Sequence, residues 1–144
     1  MNLLDIAYTP AAEVPPTSTV ETAVSITSPI KCGAVAVVEG GALQGIVTSR
    51  DVMLKVVLRH RNPETTLVRE IMTTPVVTLH PHTEPTEALA MMLEKNLRHI
   101  PLSEDGVHVC GMLSLSKILK FIVDDQRDDL ATLESFINAD SIGG

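Results

Sequence analysis

The chain has 144 residues, a mass of 15.5 kDa, a formal net charge of −7 and 44% apolar residues. This length predicts one domain, or two small units around a shared core, and the acidic balance excludes a general nucleic-acid binder or a protein that docks on anionic lipid, because both need a basic face. Aromatic residues make up only 2% of the chain, so stacking platforms for bases are nearly absent.

The sequence shows no signal for export or membrane insertion. No apolar run approaches the roughly 20 residues needed to cross a bilayer. No basic stretch followed by an apolar one marks a signal peptide. Cys32 and Cys110 fit no CxxC pattern and are expected to be free thiols in a reducing compartment. We therefore expect a soluble, cytoplasmic protein without a membrane or nucleic-acid partner.

The two halves of the sequence repeat each other at a spacing of 65 or 66 residues. The matched positions are Pro10 with Pro75, Pro16 with Pro81, Ala23 with Ala88, and Gly45–Thr48 with Gly111–Ser114. Spaced prolines, glycines and apolar positions do not agree by chance over such a length. The chain is therefore predicted to contain two copies of one structural unit.

The first copy begins with an extended, proline-bearing segment. Ser18 and Glu21 then form a capping-box pattern for a helix whose inward face is Val20, Ala23, Val24 and Thr27. Two short apolar runs around a glycine-bearing turn predict a hairpin of Ala34–Val38 with Leu43–Val47. A second helix is predicted near Ser49–Leu58.

The second copy follows the same order. Thr83 is the predicted cap of its first helix and Pro85 lies in the first turn, with an inward face of Ala88, Leu89, Met92 and Leu93. A hairpin of His99–Leu102 with Val107–Leu113 follows, and then a second helix near Leu115–Val123.

The fold class predicted from this order is α+β, with two β-α-β-β-α units packed sheet to sheet around one core, because a single unit is too small to stand alone. Residues 59–67 form a polar connector, and residues 128–144 are expected to form a short helix with an apolar face of Leu130, Leu133, Phe136 and Ile137. The predicted division is residues 1–62, 63–126 and 127–144.

The sequence resembles a tandem pair of CBS domains, the module named after cystathionine β-synthase. The most specific stretches are Gly45–Asp51 and Leu97–Leu102, with support from Val68–Met72 and Gly111–Ser114. The resemblance implies a pseudo-twofold module with two clefts that bind adenosine ligands such as AMP, ADP, ATP, S-adenosylmethionine or NAD. It also implies disc-like dimers and, without a catalytic domain, a stand-alone sensor that is not an enzyme.

The start of the predicted helix at Ser49 carries the chemistry of the first cleft. Backbone N–H groups there favour an anion, and the Thr48 hydroxyl can donate to the same phosphate. The Asp51 carboxylate offers two acceptor oxygens, which suit the two hydroxyls of a ribose. Thr-x-x-Asp is equally a helix-capping pattern. Both interpretations of Asp51 stay open at this point.

The resemblance assigns further residues to the Asp51 cleft from the second copy. Backbone groups of the extended residues would meet an adenine edge, and either Arg98 or His99 would meet phosphate, with Arg98 favoured because its guanidinium forks onto two oxygens. The predicted nucleotide-binding residues are Ile46, Thr48, Ser49, Arg50, Asp51, Thr74, Pro75, Val76, Val77, Leu97, Arg98 and His99.

The second cleft departs from this pattern, because Lys117 stands where Asp51 stands in the first copy. A lysine cannot accept hydrogen bonds from a ribose. This cleft is expected either to lack a ligand or to attract the phosphate of a longer one, which leaves one adenosine site per chain. His80 and His82 flank a proline without a nearby acid or cysteine cluster, so no metal site or catalytic set is predicted.

The leading functional prediction is a regulatory module that senses an adenine nucleotide and requires no cofactor. The alternatives are a structural dimerisation module with degenerate clefts and, more weakly, a fragment of a metal-dependent enzyme that uses the histidine pair. A homodimer is predicted because one core cannot cover all the apolar residues of the second helices, Val52, Met53, Val56, Val57, Ile118, Leu119 and Ile122.

Overall fold

The computed structural model describes the backbone of residues 2–143 and the side chains of residues 2–128 and of Leu130. Its helices and strands follow the predicted order, except that no strand precedes the first helix of the second copy among the described residues. They are β1 (Glu13–Val14), α1 (Val20–Ile30), β2 (Ala34–Glu39), β3 (Ala42–Thr48), α2 (Ser49–Val52, continued by a π-helical turn over Met53–Val57), α3 (Pro85–Glu94), β4 (His99–Leu102), β5 (Gly111–Ser114) and α4 (Leu115–Gly143), with 3₁₀ turns at Leu3–Asp5 and Val68–Glu70.

The first copy contains a three-stranded sheet in the order β1-β2-β3. β1 runs parallel to β2, and β2 pairs antiparallel with β3, so that Ala34 faces Thr48. The hairpin turn contains Gly40 and Gly41, whose φ angles are +58° and +81°. Glycine adopts this left-handed conformation without steric cost, which makes it suited to a tight hairpin turn. The predicted hairpin is confirmed.

The second copy contains only the β4-β5 hairpin as a named sheet. In the described part of the chain, its first extended segment contributes a single parallel bridge, from Leu79 to Leu102, in place of the predicted strand. β5 also begins at Gly111 and not at Val107. The Asp105 carboxylate accepts hydrogen bonds from the N–H groups of Val107 and His108, which holds those residues in a loop.

Two predicted helix caps are wrong in detail. Thr19 caps α1 by accepting from the N–H of Thr22, while the carbonyl of Ser18 is occupied by the N–H of Val68. Glu84 precedes α3, and Pro85 begins it as predicted. The inner faces are narrower than the apolar pattern suggested, since Val24 of α1 and Leu93 of α3 are largely exposed.

Three hydrophobic clusters replace the single predicted core. One lies within the second copy and one within the first, each between a helix pair and its sheet. The third lies between the two sheets and contains Ala34, Ala36, Ile46 and Met112. The sheets therefore do pack against each other, but each copy also has its own core.

The segment before each first strand packs into the opposite copy. Leu3 is fully buried in the core of the second copy, and Val68 and Ile71 are buried in the core of the first. Backbone bridges fix this exchange, since Tyr8 pairs with Met112 and Thr73 pairs with Ile46. These two bridges occupy matching positions in the repeat, as the predicted pseudo-twofold relation of the copies requires.

The last helix differs from the prediction of two separate helices. α4 runs unbroken from Leu115 to Gly143, since no proline or glycine interrupts the sequence before its end. Leu130 is largely exposed, and the side chains of Leu133, Phe136 and Ile137 lie outside the described residues. Among the helices that the structure describes, none is long and apolar enough to span a membrane.

Candidate functional site

The Thr48–Asp51 turn joins β3 to α2 and forms a closed capping arrangement. The backbone N–H of Ser49 donates to the carbonyl of Gly33 at 2.9 Å, which sets the start of the helix. The N–H of Thr48 donates to Oδ2 of Asp51 at 2.9 Å, and the N–H of Asp51 reaches the Thr48 hydroxyl at 3.4 Å. The capping interpretation of this motif is therefore confirmed.

The buried Asp51 carboxylate also accepts two donors through its other oxygen. The Thr73 hydroxyl donates to Oδ1 at 2.9 Å, and the Lys55 ammonium lies 2.8 Å from the same atom. Lys55 further donates to the carbonyl of Ile71 at 2.9 Å. One carboxylate therefore ties α2 of the first copy to residues 71–73 of the second. A buried charge without such partners would be costly.

Sequence reasoning missed Lys55 and Thr73. Lys55 follows Asp51 by four residues, which is the spacing of an ion pair on one helix face, and this signal was available. Thr73 directly precedes the predicted Thr74–Val77 segment. Its contact with Asp51 depends on the exchange of segments between copies, which no local pattern reveals.

The Thr73 bridge brings the predicted segment of the second copy to this cleft. Thr73 and Ile46 exchange backbone hydrogen bonds of 3.1 and 2.8 Å, so Thr74 and Pro75 follow immediately beside the end of β3. Thr74, Pro75 and Val77 are exposed, and Val76 is half-buried beside the cluster between the sheets. Within the described residues, the backbone groups of Val76 and Val77 make no hydrogen bond, so they are available to a ligand.

The Leu97–His99 stretch divides between three environments. Leu97 packs against the core of the second copy, Arg98 is exposed, and His99 is half-buried. The His99 ring lies against the first copy, since a Cβ atom added to Gly33 would lie 3.1 Å from its Cε1 atom and 3.0 Å from the Ser49 hydroxyl. His99, and not the favoured Arg98, therefore lies beside the start of α2. A phosphate contact by either residue stays a prediction.

Burial and charge both act on His99. Desolvation lowers the pKa of the imidazole below its ordinary value of 6.5, and the neighbouring Arg98 charge lowers it further. The ring is therefore neutral at pH 7 and offers one donor and one acceptor at the start of α2.

The remaining predicted residues lie on two sides of the motif. Ile46 is buried in the cluster between the sheets, and Ser49 and Arg50 are exposed. The Ser49 hydroxyl donates to the Gly33 carbonyl at 3.3 Å. A shallow groove of about 230 Å³ lies between α1 and α2 and is lined in part by Thr48, Ser49 and Met53.

The second cleft is the roomier of the two described cavities, at about 490 Å³. Its walls come from residues 7–12, from Ile26 and Ile30 of α1, and from Lys117 of α4. The Lys117 ammonium lies 3.9 Å from the centre of the Tyr8 ring, which is the geometry of a cation–π contact.

Metal-ligating side chains do not cluster in the part of the chain that the structure describes. The rings of His80 and His82 stack with their centroids 5.4 Å apart. The hydrogen bond between these two residues is local, since the backbone N–H of His82 donates to Nδ1 of His80.

Comparison with known proteins assigns the family. The CBS domain profile matches residues 4–58 and 68–124, which together make up most of the sequence. The chain belongs to the CBS domain family. The two matches coincide with the two copies of the repeat, so the protein is a tandem CBS module.

Curated relatives include other CBS-domain proteins. The mitochondrial CBS domain-containing protein CBSX3 of Arabidopsis thaliana is 34% identical over 110 residues, covering 73% of this chain and 53% of the relative. YhcV of Bacillus subtilis is 30% identical over 114 residues, covering 79% of this chain and 80% of the relative. The chain thus spans about half the length of CBSX3.

Solved structures agree with the fold. A putative signal-transduction protein with CBS domains from Burkholderia ambifaria superposes with a TM-score of 0.78 at 31% identity, covering 88% of this chain and 96% of the other. A hexameric CBS-CP12 protein from bloom-forming cyanobacteria gives a TM-score of 0.73 at 26% identity, covering 83% and 69%.

Proposed function

We propose that this tandem CBS module is a regulatory, non-catalytic protein that binds an adenine nucleotide in the cleft of Asp51. The observation that carries the proposal is the hydrogen bond between Asp51 of the first copy and Thr73 of the second. A ligand that replaces this contact touches both copies at once. Its binding therefore favours one arrangement of the copies, which is the requirement for a sensor.

The ribose takes the Oδ1 side of Asp51 in this proposal. Oδ2 remains engaged with the backbone of Thr48, so the helix cap survives binding. The two hydroxyls of a ribose replace the Thr73 hydroxyl and the Lys55 ammonium, which are the present donors to Oδ1. Lys55 can leave because its side chain is 37% exposed, so the released ammonium reaches water.

The adenine lies beside the extended segment of the second copy. The backbone groups of Val76 and Val77, which have no partner among the described residues, supply one donor and one acceptor edge. Such a pair distinguishes adenine from guanine by the order of donors and acceptors along the base. The exposed Pro75 and Val77 add apolar contact without an aromatic platform.

Calorimetry with AMP, ADP, ATP and GMP tests the proposal on the full chain. We expect a saturable heat for at least one adenine nucleotide and weaker binding of GMP. The absence of heat, together with the absence of competition for every adenosine compound, would overturn it.

A second candidate function, a structural dimerisation module, is favoured by the exposed apolar surface of α2. Met53, Val57 and Leu58 expose 60%, 66% and 66% of their surface. Val56 and Ile118 were expected to contribute to this surface, but they are buried within the cores. We propose that the α2 surface pairs two chains. A dimeric mass by light scattering at micromolar concentration is expected with or without nucleotide, and a monomeric mass would contradict it.

A further inference from the structure

We infer that the Lys117 cleft is a separate binding site for a compact organic anion, a carboxylate or a phosphate monoester with an apolar body. Three observations support this inference: the charge of Lys117, the ring that holds it, and the shape of the cavity beside it. The inference does not depend on nucleotide binding at Asp51.

The charge at this position is reversed relative to the matching position of the first copy. Asp51 lies in the first turn of α2 and closes the capping box with Thr48, whereas Lys117 lies in the first turn of α4. The N-terminus of a helix attracts negative charge and disfavours a cation. Lys117 is thus placed against the helix dipole, and an anion bound beside it would pair with the ammonium and offset this unfavourable interaction. The N–H groups of Leu115 and Lys117 already donate to the Arg98 carbonyl and the Ser114 hydroxyl, so the ammonium is the donor that this helix start offers to a ligand.

The ammonium lacks an acidic partner within the described residues. The ion pairs of this part of the chain involve other cations, and none of the residues that line the cavity is Asp or Glu. Lys117 is instead held 3.9 Å above the Tyr8 ring. A ring contact satisfies one side of an ammonium and leaves its remaining N–H donors available to an anion.

Tyr8 is itself fixed from two sides, so the site is formed before a ligand arrives. Its backbone exchanges hydrogen bonds of 2.9 Å with Met112, and its hydroxyl donates to the carbonyl of Lys31 at 3.2 Å. The exchanged N-terminal segment therefore positions the ring that positions Lys117.

The cavity accepts an apolar body of moderate size. Its volume of about 490 Å³ falls in the range of small-molecule sites, roughly 300–1,000 Å³. Ala11 and Ala12 stand where the Asp51 cleft has Val76 and Val77, which leaves more room beside the cation. Ile26 and Ile30 supply apolar walls. A charged head at Lys117 and an apolar body against α1 match this lining.

Intrinsic fluorescence provides a direct test, because Tyr8 is the only tyrosine and the chain has no tryptophan. The probes are cyclohexanecarboxylate and cyclohexyl phosphate, which do not absorb near tyrosine, with cyclohexanol as the uncharged control. We expect a saturable change in Tyr8 emission with at least one anion and none with cyclohexanol. Comparing the two anions identifies the preferred head group.

Three variants assign the effect to the cleft. Lys117→Met is expected to lower the affinity for the anion about tenfold or more, since a hydrogen bond to a charged group is lost. Lys117→Arg retains the charge and retains binding, and Lys120→Met, an exposed lysine one turn further along α4, leaves binding unchanged. A thermal melt confirms that each variant is folded.

The site assignment fails if neither anion saturates the signal at millimolar concentration, if cyclohexanol binds equally well, or if Lys117→Met binds like the parent chain. The Asp51→Ala variant is expected to bind the anion normally. A chain that binds the anion but no nucleotide would sustain this inference while removing the proposed function, and the opposite result would do the reverse.

Discussion

In the proposed nucleotide complex, Asp51 is the residue at which folding and ligand binding compete for the same atoms. Its two oxygens accept four donors in the structure, from Thr48, Thr73 and Lys55. A ligand that binds here must replace donors that already stabilise the fold. The cost of exchange is small when new hydroxyls take the same positions, because the carboxylate never loses its partners.

Replacing Asp51 by alanine is expected to lower both stability and nucleotide affinity. Loss of the buried carboxylate, which closes the capping box and accepts from Thr73 and Lys55, costs about 1.5–3 kcal/mol of unfolding free energy, and loss of a charged acceptor lowers AMP affinity about ten- to a hundredfold. Lys117→Ala is the matched control, expected to leave AMP affinity unchanged because it lies in the other cleft. Melting curves and calorimetry on both variants decide the matter. A drop in melting temperature alone would reduce Asp51 to a helix cap.

In the proposed complex, the ribose takes the place of the Lys55 ammonium beside Asp51, so removal of Lys55 is expected to help binding. Lys55→Met should raise AMP affinity about two- to fivefold, the range given by a partly exposed ion pair. Lys120→Met, which leaves the Asp51 pair intact, should have no effect in the same titration. Weaker AMP binding by Lys55→Met would show instead that Lys55 contacts the bound ligand.

At the scale of the helices and strands, local sequence patterns correctly predicted the features that depend on contacts between residues close in sequence. The repeat, both hairpins and the Thr48–Asp51 turn follow from spacing and glycine placement. The α1 cap did not follow, because Ser18 and Thr19 both suit the position and the contact of Val68 with Ser18 selects between them. Tertiary contacts decided that choice, and local propensity alone could not.

In the candidate site, too, local patterns predicted some contacts and missed those that depend on tertiary packing. The sequence predicted that the Thr74–Val77 segment meets the Asp51 motif, and the Thr73 bridge brings it there. Whether His99 or Arg98 lies against the first copy depends on which side of β4 faces that copy. The absence of a Gly33 side chain makes room for that ring, and this pairing across copies has no local signature.

Acidification is expected to loosen the contact of β4 with the start of α2. The pKa of His99 in the folded chain lies below its ordinary value of 6.5, so near and below that value the unfolded chain binds more protons. The free energy of unfolding therefore falls as the pH drops from 6.5 towards the pKa of the folded state. Above pH 6.5 it is retained. His99→Gln should flatten this dependence relative to the parent chain in denaturation curves measured from pH 7.5 to 5. Identical pH slopes would contradict the burial of a neutral ring.

Gly45 marks the point where the exchanged segment of the second copy crosses β3. A Cβ atom added there would lie 2.7 Å from Cγ of Met72, closer than real Cβ atoms approach, and 3.0 Å from its Cβ, which is tighter than most real contacts. Gly45→Ala is expected to cost about 1–3 kcal/mol of unfolding free energy by overpacking. Gln44→Ala on the same strand should cost less in the same urea titration. An equal cost for the two variants would show that Met72 moves aside freely.

The whole molecule depends on the exchange of its first segments. Leu3 completes the core of the second copy, while Val68 and Ile71 complete that of the first. Each copy alone has about 60 residues, a size at which burial is marginal even for an intact core. Neither copy is therefore expected to fold without the other.

Cutting the chain between Arg61 and Asn62 tests this dependence. We expect residues 1–61 and 62–144 to be unfolded separately and to recover helical circular dichroism and one cooperative melt when mixed at equal concentration. A half that melts cooperatively by itself would show that the exchanged segment is dispensable to it.

The exchange of segments also has a consequence for the oligomeric state of any single-copy ancestor of this chain. In a chain of one unit, the leading segment would have no second core within its own molecule, so it would have to enter that of a neighbour. Such a protein would exist as a domain-swapped pair, with each arm lodged in the other subunit. Duplication and fusion of its gene would join that pair into one polypeptide, and a difference such as that between Asp51 and Lys117 would then become possible, because two positions encoded once would be encoded twice and could mutate separately.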